Sequence, residues 1–243
     1  MPTNPTRRKF LLLIVSAIAA YLLLAYVIMP QFDRHKSRLD QDMQNGPHLT
    51  HTGTGLPGDP LNIALIGSNE DILRAMSAAG WYPADALTFR SSVKISIDTV
   101  FKKPDDEAPV SSLYLFGRKE DLAFEKPVGN SPKQRHHVRF WKTEKTFDGR
   151  PVWIGSAAFD IGVELSRTTG QVTHHISPDV DAERNLILND LRNANRLQAL
   201  HWIDGFQQPA EGKNGGGDPW HSDGKLALAE LENKATEGTV NTK

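Results

Sequence analysis

Asp148-Gly149-Arg150-Pro151-Val152-Trp153-Ile154-Gly155-Ser156-Ala157-Ala158-Phe159-Asp160-Ile161-Gly162-Val163-Glu164-Leu165 is the longest β-type run in the chain, and its reading decides the fold class. It opens on Asp-Gly, a pair that accepts the positive φ of a tight hairpin turn. Beyond that turn Trp153, Ala157, Phe159, Ile161, Val163 and Leu165 share one face of a strand, and Ser156, Asp160 and Glu164 share the other. The alternation predicts one face in the core and one accessible. Residues 136–143 upstream, and 171–176 beyond the Thr169-Gly170 turn, have the same character, so the three runs read as an antiparallel meander. Shorter β-type runs at 113–117 and 122–125 precede it.

Towards the N-terminus, residues 59–68 form an apolar run ending in Gly67-Ser68, which suits a buried strand. Ser68 and Asp71 have the spacing of a capping box, and Ile72, Leu73, Met76 and Ala79 give the following helix one apolar stripe up to Gly80. A glycine and serine ahead of a helix can bind phosphate, but the glycine-rich loop with its lysine is missing, so the pair reads as a cap. Phe89, Val93, Ile97, Val100 and Phe101 recur at helical spacing and predict a second helix, followed by a charged loop at 102–107. On the C-terminal side Ser177 caps a helix with Pro178 in its first turn and Val180, Ile187, Leu188 and Leu191 as its buried stripe. An apolar run at 197–206 closes the domain. The expected fold class is therefore α+β: a single domain over 59–206 with a strand-helix-helix start, an antiparallel β meander and a C-terminal helix.

That domain stands behind a candidate anchor. Residues 10–29, FLLLIVSAIAAYLLLAYVIM, are continuously apolar, and about 20 helical residues at about 1.5 Å each match a hydrocarbon core of about 30 Å. A cleaved signal would have a shorter apolar region and small residues at its end, where this chain has Tyr26-Val27-Ile28-Met29-Pro30. The basic segment 1–9 ends in Arg7-Arg8-Lys9, which with Phe10-Leu11 resembles a twin-arginine export signal and serves the positive-inside rule equally well. Arg34, Lys36 and Arg38 follow the span, but the tighter N-terminal cluster favours a cytoplasmic N-terminus and an extracytoplasmic domain at the cell membrane. Residues 30–58, with His48 and His51, read as a juxtamembrane helix end followed by a flexible linker. Residues 207–243, with Gly215-Gly216-Gly217, read as a polar disordered tail holding at most one short helix at 226–231.

The 28 basic and 29 acidic residues leave a net charge of -1, without the basic face that displaces counterions from nucleic acid. The expected partners are the membrane and an envelope protein or lipid. There is no cysteine, which excludes disulfides, thiolate nucleophiles and Cys-based zinc sites.

Tyr114-Leu115-Phe116-Gly117-Arg118, Leu122-Ala123-Phe124-Glu125-Lys126-Pro127, Arg135-His136-His137, Asp148-Gly149-Arg150-Pro151-Val152-Trp153 and Thr173-His174-His175-Ile176 with Asp179-Val180-Asp181-Ala182-Glu183-Arg184 together resemble the LssY C-terminal domain. This bacterial module is named for a proposed secretion-system component. The resemblance covers about 59–202 and implies a domain of the kind found on multi-span membrane proteins, some with phosphatidic-acid-phosphatase-like or DedA-like regions. It implies no established reaction and no catalytic residues.

The same segments hold the candidate chemistry. In strands, His136 and His137 point to opposite faces, as do His174 and His175, so each pair offers one imidazole to a given pocket. Asp179 and Glu183, four apart on a helix, and Asp160 on the expected accessible face add carboxylates. Such a set would suit a divalent zinc, manganese or iron ion activating water for ester or phosphoester hydrolysis. The same side chains equally suit a structural network, and Arg135, Arg139, Arg150 and Arg184 suit either that network or an anionic ligand. No Gly-x-Ser-x-Gly elbow appears, and Ser156 falls in mid-strand. Two functions follow: a membrane-anchored accessory or binding module, or a metal-dependent hydrolase of an envelope substrate.

Overall fold

A computed structural model of the chain describes residues 5–84, 112–129, 134–165 and 172–233. The chain divides into two compact units, Met1–Met43 and Gln44–Lys243.

In the first unit α1 (Pro5–Leu23) passes through one π-helical turn (Leu24–Ile28) into α2 (Met29–Gln44). Residues Lys9–Ile28 are long and apolar enough to cross a membrane. At the π turn the Met29 N–H reaches back to Leu24 O, directly ahead of Pro30, which has no N–H with which to continue the ladder.

The second unit is mixed α and β. Its large sheet runs β11 (Leu197–Ile203), β14 (Leu226–Leu231), β3 (Ile63–Ile66), β9 (Arg150–Leu165), β8 (Arg135–Phe147), β7 (Leu122–Pro127) and β4 (Tyr82–Pro83), with β10 (Val172–Ile176) also paired to β9. A four-stranded sheet runs β2 (Pro57–Pro60), β1 (Leu49–Thr52), β5 (Leu113–Leu115), β6 (Arg118–Lys119), and β12 (Glu211–Lys213) pairs with β13 (Pro219–His221). The meander is there: β7, β8, β9 and β10 pair successively and antiparallel. Asp148 and Gly149 turn it with φ of 49° and 73°, the pair of positive values that a two-residue hairpin of matching twist requires. The Thr169-Gly170 turn and the helix expected over 89–101 lie outside the described residues.

Helices α3 (Asn69–Ala78) and α4 (Val180–Asn193) cover one face of the large sheet. Ile72, Leu73 and Met76 of α3 and Ile187, Leu188 and Leu191 of α4 join Ile63, Leu65, Phe124, Phe140, Trp153 and Ala157 in one buried cluster. The Ser68 hydroxyl accepts from Asp71 N–H, and the Asp71 carboxylate accepts from Ser68 N–H, which closes the capping box. The cap of α4 is Asp179, which accepts from Ala182 N–H at 3.0 Å, two residues later than Ser177. A carboxylate held there satisfies an otherwise unpaired amide and complements the helix dipole.

Four expectations are corrected. The face of β9 read as accessible is covered: Ser156, Ala158 and Asp160 are buried, with Leu49 of the small sheet packed against the cluster that holds Ala158. The helix end expected after the apolar stretch is there as α2, but the remainder of the segment, read as a flexible linker, supplies the β1–β2 hairpin, whose Thr50 is buried with its hydroxyl donating to Asp59 O. The segment read as a disordered tail is inside the fold as far as Leu231, and the short helix expected at 226–231 is strand β14, buried between β11 and β3. Consequently the expected C-terminal helix, α4, is followed by four more strands. Leu-Ala-Leu-Ala-Glu-Leu has high helix propensity, and its pairing with β3 and β11 overrides that preference.

Asn62, a residue without an obvious sequence signal, ties these layers together. Its side-chain amide donates to Ala157 O and Val180 O at 2.9 Å each, and its oxygen accepts from Ala157 N–H at 2.9 Å. One buried amide thus continues the β3–β9 ladder where the backbones part, and holds the start of α4 to the sheet.

Candidate functional site

The register of the meander places the candidate residues. Across β8 and β9, Arg135 faces Asp160, His137 faces Ala158 and Arg139 faces Ser156, while His136 faces Phe159 from the opposite side of the sheet. The two adjacent histidines therefore serve different layers, as strand geometry requires.

On the helical side His136 Nδ1 lies 2.7 Å from Glu183 Oε2. A carboxylate can only accept, so the imidazole presents its Nδ1 proton to it. Glu183 is only 3% exposed, and His136, with Phe159 and Trp81 as ring neighbours, is 23% exposed. Burial pushes the Glu183 carboxyl above its ordinary value, against the opposing pull of the His136 hydrogen bond. Lys126 Nζ and Trp81 Nε1 both donate to Asp190, at 2.8 and 2.9 Å, about two helical turns further along α4.

On the side facing the small sheet lies a longer polar row. Arg135 Nε donates to Asp160 Oδ2 at 3.1 Å, and its Nη1 lies 3.4 Å from Glu125. His137 Nδ1 approaches Asp160 Oδ1 at 3.2 Å, close enough for an ion pair but not aligned as a hydrogen bond. Arg139 Nη1 stands 4.0 Å from Asp59, whose other oxygen accepts from Asn214 at 3.2 Å. Asn214 in turn donates to Asp218 at 3.4 Å, and Asp218 holds His175 Nδ1 at 2.6 Å. Buried polar groups of this density are costly unless each finds a partner, and the partners come from β2 and the β12–β13 hairpin.

The remaining candidates do not converge on either cluster. Asp179 caps α4. His174 pairs through its backbone with Val163, and its side chain lies outside the described residues. Arg150 donates to Leu231 O at 2.6 Å and ties β9 to the end of β14. Arg184 is buried in a clamp: it meets Asp223 through both terminal nitrogens at 2.9 and 3.0 Å, donates to Lys225 O at 3.0 Å, lies 3.0 Å from Asp181, and stacks 4.8 Å from the Trp202 ring. Burial pushes the Asp181 carboxyl up, whereas at Asp223 burial is outweighed by the Arg184 and Lys225 hydrogen bonds and charges together, which hold the carboxyl below its ordinary value. Among the described residues no group of three or more His, Asp or Glu side chains could hold one metal ion.

The family model for the LssY C-terminus matches residues 43–226. The chain belongs to the LssY C-terminus family. The match takes in the β1–β2 hairpin and the β12–β13 hairpin, the two segments whose side chains complete the polar row of this LssY C-terminal domain. No curated protein and no solved structure matches the chain. Asp59, Asn214 and Asp218 carry no functional signal in the sequence, because Asp59 opens a run that reads as a buried strand and Asn214 and Asp218 stand in a Gly-rich stretch that reads as a tail.

Proposed function

We propose that this protein is a membrane-anchored binding module of the bacterial envelope rather than a metal-dependent hydrolase. The observation that carries the reading is the dispersal of the imidazoles, each facing a different carboxylate: His136 faces Glu183, His137 faces Asp160 without an aligned hydrogen bond, His175 faces Asp218 and His201 faces Glu230. A catalytic zinc needs about three protein ligands within about 2.2 Å of one point, and these pairs sit on two faces of the sheet and at its edge. Dispersed pairs of this kind stabilise and orient a recognition surface. The full chain, purified without a histidine tag and reconstituted with zinc or manganese, should carry far less than one ion per chain by elemental analysis. Stoichiometric metal that is lost in a folded His136→Ala/His175→Ala variant would overturn the module in favour of the hydrolase.

The cluster Arg7, Arg8 and Lys9 ahead of the span supports a cytoplasmic N-terminus and a domain outside the cytoplasm. Because the chain has no cysteine, an introduced Glu211→Cys gives a single label site. A membrane-impermeant maleimide should modify it in intact spheroplasts, and labelling only after lysis would reverse the orientation.

A further inference from the structure

Where the large sheet meets the small one, His137 and Arg139 on β8 stand across from Ala158 and Ser156 on β9. Two long polar side chains lie beside two short ones. Ser156 is 0% and His137 4% exposed, yet Ser156 Oγ and both His137 ring nitrogens make no hydrogen bond. Trp220, buried in the same small cluster as Ala158, likewise has an indole N–H without an acceptor. A core under selection for stability alone would place alanine or valine at 156 and an apolar residue at 137, since a buried hydroxyl or imidazole without a partner destabilises the fold.

The unsatisfied groups share one chemistry. An indole N–H is only a donor, a serine hydroxyl donates readily, and an imidazole carries an N–H on at least one ring nitrogen. Arg139 stands beside them, 4.0 Å from Asp59. Of the nearby carboxylates, Asp160 accepts from Arg135 through Oδ2 and turns Oδ1 towards His137 Nδ1 at 3.2 Å, while Asp59 is held by Asn214 and Arg139. Resting on the reading of the domain as a binding module, we propose that His137, Ser156 and Trp220, with Arg139 beside them, form a seat for a small oxyanion of the phosphate or carboxylate class. Such a group is rich in acceptors and supplies what the three side chains lack. A lipid headgroup and a free anion both carry it.

The test is thermal unfolding of the full chain, in detergent micelles with inorganic phosphate or acetate, and in nanodiscs of phosphatidylglycerol or phosphatidylcholine. Phosphate or acetate should raise the Tm of the wild-type chain, or phosphatidylglycerol should do so where phosphatidylcholine does not; the first result assigns a free anion and the second a headgroup. Ser156→Ala, which removes only an unpartnered hydroxyl, should raise the ligand-free Tm by about 2 °C and weaken oxyanion binding at least tenfold. If none of the probes shifts the wild-type Tm, or if Ser156→Ala binds as well as wild type, the seat does not exist. A Ser156→Ala chain that is less stable and equally indifferent to every probe would mean a hydroxyl bridged by ordered water only, which also overturns it. Either failure leaves the binding-module reading standing, because only a stoichiometric metal removes that.

Discussion

Arg184→Ala should lower the stability of the domain by about 3 kcal/mol, the range expected when one partner is removed from a buried ion pair and the other is left behind. In thermal unfolding that corresponds to a fall of about 6 to 12 °C for a domain of this size. The guanidinium is 1% exposed and joins three separate pieces of chain: Asp181 on its own helix, Asp223 and Lys225 O in the turn before β14, and the Trp202 ring on β11. Its loss leaves Asp181 half-buried beside Asp223, two carboxylates whose mutual repulsion already pushes Asp181 in the same direction as burial does. Asp223 is itself well exposed, so water screens part of the deficit and the figure is set at the lower end of that range. Arg184→Lys should recover only part of the loss, because an ammonium cannot meet both Asp223 oxygens as the planar fork does. If Arg184→Ala unfolds within about 2 °C of wild type, the clamp contributes nothing net to stability.

The second large effect concerns the boundary of the domain. A chain ending at Phe206 should not fold, even though it keeps both helices and the whole meander. It lacks β14, which pairs with β11 on one edge and β3 on the other and contributes Ala227, Ala229 and Leu231 to the core. The same truncation removes Asp218 from His175 and Asp223 from Arg184. In the full-length chain, Ala229→Asp should be similarly damaging, since it buries an unpaired carboxylate at a fully enclosed position. Circular dichroism and proteolysis are the readouts. A cooperative unfolding transition in the chain ending at Phe206 would show that β14 is an accessory strand.

These two cases also show what the sequence could disclose. The meander was legible because alternation and Asp148-Gly149 are local signals, and so was α3, whose serine and aspartate close a local capping box. The strand β14 was not, because parallel pairing buries both its faces and erases the alternation that marks a half-buried strand. Its alanines and leucines then read as helix. The candidate site divides in the same way. His136, His137 and His175 were found by residue type, and strand periodicity correctly separated His136 from His137. Their partners were less accessible to sequence. Glu183 suits either a metal or a network with the histidines and pairs with one imidazole, whereas Asp218 lies in a glycine-rich stretch that offers no period at all. Asp160 was placed on the right face of β9, but only tertiary packing of the small sheet made that face buried.

The parallel pairing of β3 with β14 imposes an order on how the protein can be made. Ile63 is translated long before Ala227, the residue it must sit beside, and the apolar N-terminal helix leaves the ribosome earlier still. Until β14 arrives, β3 is an edge strand of four apolar residues with its hydrogen-bonding groups open on one side, the kind of edge that recruits other chains. Local helices and the β8–β9 hairpin can form during synthesis, but sheet closure is a late event that waits for nearly the whole polypeptide. A nascent or stalled chain is therefore a client for chaperones, and premature termination anywhere in the polar stretch before β14 yields an aggregation-prone fragment rather than a smaller working domain.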